Sequence, residues 1–324
     1  MNSRNWTETM SPKFPNRAVL QGLIVYAGFV LIFLFFAAML WDRGFLSPQN
    51  LTNIVLQTAP ATVLAIGLVF VLAAGEIDLS FGAAVALSAI VAAMVMRVAP
   101  WPIGVAAGLA TGMAVGFVNG AIVAYARLPS FLVTLATMGV AAGIARELSN
   151  LQSIPVTADA FIGIFGGGKL FGIPSLVIWT ILALLIGHLV FRETRYGAHV
   201  LATGDNPRAA LVSGIRVARL RLSVLMVSGA CAGLAGLLYA GRLQSARYTL
   251  GESDLMTVIA AVIVGGTALN GGRGSVPGAL VGSLMMGMLS NGLILMGLSV
   301  SWQMIIKGLI VLAAVAVSLR EPNR

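Results

Sequence analysis

Ten runs of about twenty apolar residues constrain this chain more than any other feature. At about 1.5 Å rise per residue, each run as a helix matches a hydrocarbon core about 30 Å thick. They fall at residues 18–41, 54–74, 81–98, 103–125, 131–148, 176–191, 222–240, 255–269, 276–298 and 301–319. Lipid offers no partner to a bare N–H or C=O, so apolar spans of this length must be helices. The expected fold class is an all-α integral membrane protein of about ten transmembrane helices. Only 10% of the residues are charged, against about 25% in a soluble domain, which removes a soluble globular fold from consideration. The first run exceeds a signal-peptide core and has no small-residue cleavage site before Trp41-Asp42-Arg43, so it is expected to remain as a helix.

The net charge of +9 then reads as a topology signal. With both termini in the cytoplasm, thirteen of the twenty Lys and Arg residues fall on the cytoplasmic side. They include Arg4, Lys13, Arg17, Arg127, Arg273, Arg320, Arg324 and the six arginines between Arg192 and Arg221. The arginines are tied to span ends, which points to the lipid membrane and away from nucleic acid. Cys231 is a lone cysteine within an apolar run and has no internal disulfide partner. No cluster of His, Cys and carboxylates has metal-ligand spacing, and neither His188 nor His199 has a nucleophile or carboxylate partner, so no metal site and no catalytic set are expected. The whole of 1–324 is expected to be one transmembrane domain, interrupted by a polar segment at 192–221.

That segment carries its own helix signals. Asn206 can cap free N–H groups, Pro207 suits the first helical position, and Gly214 supplies a left-handed stop. A short capped helix of Pro207, Arg208, Ala209, Ala210 and its neighbours, entered through Asp205 and held outside the membrane, suits being gripped by another protein. A transporter moved by a separate motor follows as the expectation.

Two polar, glycine-containing breaks interrupt the apolar pattern, at Gly75–Gly82 and at Gly265–Gly278. Irregular backbone at membrane depth survives where it is buried in protein or lines a watery cavity, so the breaks are candidate pathway walls, with tight surface turns as the plain alternative. Glu76, Asp78 and Lys307 are ionisable at this depth, where a central charge costs about 3 kcal/mol on insertion scales. An ion pair between Lys307 and one of the acids would offset that cost; a proton relay in an ion-gradient carrier is the rival use. Gly104, Gly108, Gly112, Gly116 and Gly120 form a ridge along one helix face, made for close packing, with Asn119 beside it. Gly163–Leu170 nearly spells a phosphate-binding loop, but Leu170 replaces the hydroxyl that would reach magnesium.

Taken together, GEIDLSFG at 75–82, LPSFLVTLATM at 128–138, TRYGAHVLATGDNPRAALVSGI at 194–215, VIAAVIVGGTALNGGRGSVPGALVGS at 258–283 and WQMIIKG at 302–308 resemble, in order, the permease subunits of ribose-type ABC sugar importers. Glu76 stands where that family often has glycine. The resemblance implies a permease dimer of identical or related copies, an extracytoplasmic sugar-binding protein and a cytoplasmic ABC ATPase that binds ATP and Mg. This chain itself would hold no cofactor. The helix of Asp205, Asn206, Pro207, Arg208, Ala209, Ala210 and Gly214 is similar to the coupling helix that seats in a cleft of the ATPase. Glu76, Asp78, Ser80, Asn119, Asn270 and Asn291 are the candidates for the substrate pathway, and a pentose is the expected cargo, carried across the bacterial inner membrane. A permease for another small polar solute, such as a branched-chain amino acid, is the neighbouring alternative.

Overall fold

The computed structural model describes residues 17–320. Arg4, Lys13 and Arg324, counted above toward orientation, lie outside the described residues. Among the described residues, six helices are long and apolar enough to cross a membrane: α2 (Pro48–Ala73), α4 (Trp101–Ala121, prolonged by a widened turn Ile122–Ala126), α5 (Ser130–Ser149), α7 (Ser175–Arg192), α10 (Val217–Leu243) and α12 (Val276–Leu295). The remaining apolar runs form α1 (Arg17–Met39), α3 (Phe81–Val95), α11 (Asp254–Val264) and α13 (Val300–Arg320).

Local chemistry fixes several of these ends. Ser47 caps α2 by accepting from Asn50 N–H at 3.2 Å, with Pro48 in the first turn. Gly75, at φ +76°, lets the chain leave α2 in the left-handed region. Ser275 caps α12 through Gly278 N–H at 3.0 Å. The run 255–269 was expected as one span, and here the structure differs. Helix α11 stops at Val264, because Gly265 and Gly266 follow and Gly266 turns at φ +92°. Its 11 residues measure about 16 Å, roughly half the hydrocarbon thickness.

Helix α2 is the central post: every residue from Thr58 to Ala73 is buried, against α10, α12, α7 and α11. A buried hydroxyl pair, Thr62 with Ser283 at 2.6 Å, ties it to α12. The glycine ridge of α4 finds its partner in α10. A Cβ on Gly112 or Gly116 would collide with the α10 backbone at Gly229 or Leu225, so the two helices meet with no side chains between them.

At one end of the bundle, Ile154–Pro155 pairs antiparallel with Ser245–Ala246. The short helix α6 (Asp159–Phe165) tucks beneath, with Phe165 stacked between Phe161 and Trp179 at ring centroids 5.0 Å apart on either side. Gly166–Gly168 joins α6 to a small hairpin, and Gly166 packs on the backbone of Gly241. At the other end, two helices lie between α7 and α10: α8 (Arg195–Asp205) and α9 (Pro207–Val212).

Candidate functional site

Helix α9 forms where its caps direct. The Asn206 side chain accepts from Arg208 N–H at 3.1 Å and Ala209 N–H at 3.0 Å, and Gly214 closes the segment at φ +86°. Asp205, Asn206, Pro207, Arg208 and Ala209 are exposed, and of the six helical residues only Ala210 is buried. Leu211 and Val212 stand out at 63% and 89% exposure, an apolar tip on an otherwise polar segment. Helix α8 has no forewarning in the apolar pattern. Thr194 caps it, and Tyr196 fixes it to α10 through a 2.9 Å contact with the Ser223 hydroxyl.

The C-terminus of α8 meets both breaks at once. Gly272 N–H donates to the Ala73 carbonyl at 3.0 Å, joining the second break to the end of α2. Gly204 is wedged between them, where a Cβ would overlap the Ala73 oxygen and lie 2.6 Å from Gly272 N. Gly271 and Gly272, at φ +85° and +75°, carry the second break around Gly204 and Asp205. The backbone of α8, α2 and the segment before α12 is thus in direct contact, and α9 is the next element beyond this junction.

In the first break, Asp78, Ser80 and Asn119 do come together. Thr137 donates to Asn119 Oδ1 at 2.6 Å; Asn119 Nδ2 donates to Ser80 Oγ at 2.7 Å; Ser80 Oγ donates to Asp78 Oδ1 at 2.7 Å. Ser80 N–H adds a bond to Oδ1 at 2.8 Å, and Ser228 of α10 donates to Oδ2 at 2.6 Å. Every donor points toward one carboxylate, which is how a buried charge is kept without a cation. Asp78, Ser80, Asn119 and Ser228 are each at most 2% exposed, so the cluster ties α4, α5 and α10 to the break as a closed latch. The break's own backbone is met by α5, where Ser130 Oγ accepts from Ile77 N–H at 3.0 Å and Thr134 Oγ donates to Ile77 C=O at 3.2 Å.

One expectation needs correction, and the other candidates take the places that follow. Lys307 pairs with neither acid of the first break. Glu76, 7% exposed at its side chain, instead lies 2.6 Å from Nε of Arg221 near the start of α10. Asn291 is taken up by a reciprocal amide pair with Asn50, at 2.9 and 3.0 Å. Asn270 is exposed beside the α8 junction. Lys307 faces a separate polar cavity of about 230 Å³, shared with Tyr239, Arg242 and Asp254, near the bundle end opposite α9. Of those four, only Lys307 drew notice in the sequence. Arg242, Asp254 and Tyr239 sit at run edges, where polar residues are ordinary.

The family described as "Branched-chain amino acid transport system / permease component" matches residues 50–315. The ribose import permease protein RbsC of Bacillus subtilis (strain 168) is 36% identical, with 94% of each chain covered. The L-arabinose ABC transporter permease protein AraH of Azospirillum brasilense is 35% identical over 90% of this chain and 87% of its own. The xylose transport system permease protein XylH of Escherichia coli (strain K12) is 33% identical, with 91% of each chain covered. No solved structure matches the chain.

Proposed function

This chain belongs to the permease family that matches residues 50–315, and from that membership we propose that it is the transmembrane subunit of an ATP-driven importer for a pentose. It is a multi-pass protein of the bacterial inner membrane. In this reading the chain forms one transmembrane unit of ten membrane helices, with both termini and the α8–α9 end in the cytoplasm. Hydrolysis of ATP with Mg belongs to a separate ABC ATPase, a binding protein delivers the sugar from outside, and a second permease completes the channel. The chain needs no cofactor and performs no catalysis of its own.

The observation that carries the coupling part is the α8–α9 loop. A capped helix with Leu211 and Val212 exposed offers an apolar tip for a partner's cleft, and one element away Gly204 touches the backbone of both breaks. Displacement of α9 would therefore reach the end of α2 and the segment between α11 and α12 through backbone in direct contact. The family description names branched-chain amino acids, while the three relatives are named for pentoses; the sugar reading follows the relatives.

The test is uptake of labelled ribose, arabinose, xylose and leucine by the assembled transporter in cells. Replacing Asn206 by Ala and Gly214 by Val should leave the protein inserted and reduce ATP-driven pentose uptake about tenfold or more. Undiminished uptake with normal sugar-stimulated ATP hydrolysis would remove the coupling role. Uptake of leucine alone would replace the sugar, and loss of uptake to a protonophore while ATP remains would point to a gradient-driven carrier.

A further inference from the structure

We infer that the polar cavity between the last turn of α10, the first turn of α11 and the start of α13 is the site through which the sugar passes, with Asp254, Arg242 and Lys307 as its hydroxyl-binding groups. The inference rests on the pentose-importer reading and adds the place in this chain where the cargo is held.

The cavity holds about 230 Å³, the room of several waters at about 30 Å³ each and enough for a five-carbon sugar. Three charged side chains from three helices face it, joined by Tyr239, Gln303 and Thr257. Charges at membrane-helix ends or depth are retained when they pair, meet water or contact cargo. Asp254 and Lys307 attract one another across the space without closing to an ion-pair contact. Tyr239 OH donates to Asp254 Oδ2 at 2.7 Å. Among the described residues, Lys307 and Arg242 have no hydrogen bond and no ion pair within 4.0 Å.

An acceptor and two cationic donors are therefore arranged around a space instead of against each other. That pattern suits a neutral polyhydroxy ligand, whose neighbouring hydroxyls can donate to the Asp254 carboxylate and accept from Lys307 and Arg242 together. Moderate retention is what a transit site requires, since tight binding would prevent release.

The position fits passage as well. The cavity lies toward the end opposite α9, which is the outer side in the proposed orientation. Asp254 begins α11, and the other end of α11 is the Gly265–Gly266 stop that leads into the break packed on Gly204. One short rigid helix thus runs from the cavity to the segment next to the coupling loop. Any shift of that segment would move Asp254 relative to Lys307 on α13 and change the grip on the ligand. The latch around Asp78 offers no such space, because all its donors are already engaged.

The experiment uses the complete transporter and labelled ribose, arabinose and xylose. Asp254→Asn and Lys307→Met should each reduce uptake of the transported sugar about tenfold or more, with protein amount in the membrane unchanged. Independently, Thr257→Cys in a Cys231→Ser background should react with a charged, membrane-impermeant thiol reagent from outside. That modification should block uptake, and millimolar transported sugar should slow it. Wild-type uptake in both Asp254→Asn and Lys307→Met, or full uptake after complete modification of Thr257→Cys, would overturn the site while leaving the importer reading intact. If Asp254→Asn fails to accumulate, the thiol measurement decides. If the unaltered transporter moves none of the three sugars, the importer reading falls and takes this site with it.

Discussion

Removing the Asp78 carboxylate separates a latch from a pathway group. In Asp78→Ala, three donors lose their acceptor: Ser80 N–H at 2.8 Å, Ser80 Oγ at 2.7 Å and Ser228 Oγ at 2.6 Å. Ser228 lies within α10 and can turn its hydroxyl to a carbonyl of the preceding turn. Ser80 has no such recourse, since its N–H is fixed and its oxygen already accepts from Asn119. Two stranded buried donors at about 1–3 kcal/mol each set the gross loss, and relief from no longer burying a charge reduces it. A net destabilisation of about 2–4 kcal/mol follows, a drop of roughly 5–10 °C in the unfolding midpoint by the scaling of ordinary domains. Asp78→Asn keeps the shape and one acceptor oxygen, and should lose about half as much. The assay is thermal unfolding of the purified permease, with the KM for pentose uptake measured on the surviving protein. A latch lowers the midpoint and leaves KM unchanged. An unchanged midpoint with a raised KM would refute the latch and return Asp78 to the sugar's path.

Two other perturbations follow from the same structure. Arg221→Gln leaves the Glu76 carboxylate buried without its cation, so the Glu76→Gln/Arg221→Gln double variant should be more stable than the sum of the single losses implies. A coupling of about 1–3 kcal/mol is expected, since Arg221 is 32% exposed and water screens part of the pair; additive losses in a thermal double-mutant cycle would exclude a working ion pair. Gly204→Ala drives a methyl into the Ala73 carbonyl, an overpacking loss of about 1–3 kcal/mol, and should sever ATP hydrolysis from uptake. Gly139→Ala meets nothing within 4 Å and serves as the control that transports normally.

The legible parts of this protein are those written within one helical turn. Asn206 and Gly214 announced α9 because a cap and a left-handed stop act on N–H and C=O groups only a few residues away. The α4 ridge announced close packing because its five glycines recur every fourth residue, although α10 as the partner was not visible. Asp78, Ser80 and Asn119 were singled out as polar groups in apolar surroundings, and their grouping into a closed latch depended on Ser228 and Thr137, which looked like ordinary helix hydroxyls.

The positions of the long apolar helices, the α9 caps, the breaks and the polar loop were thus fixed by the chain itself, through hydrophobic length against bilayer thickness and through local backbone hydrogen bonding. Which charge meets which was decided by packing. Glu76 found Arg221 instead of Lys307, and Lys307 faced Asp254 across a cavity, because helices that are apolar on nearly every side carry no stripe to set their rotation. Only contact between helices, glycine against backbone and hydroxyl against hydroxyl, selects which of those faces turn inward.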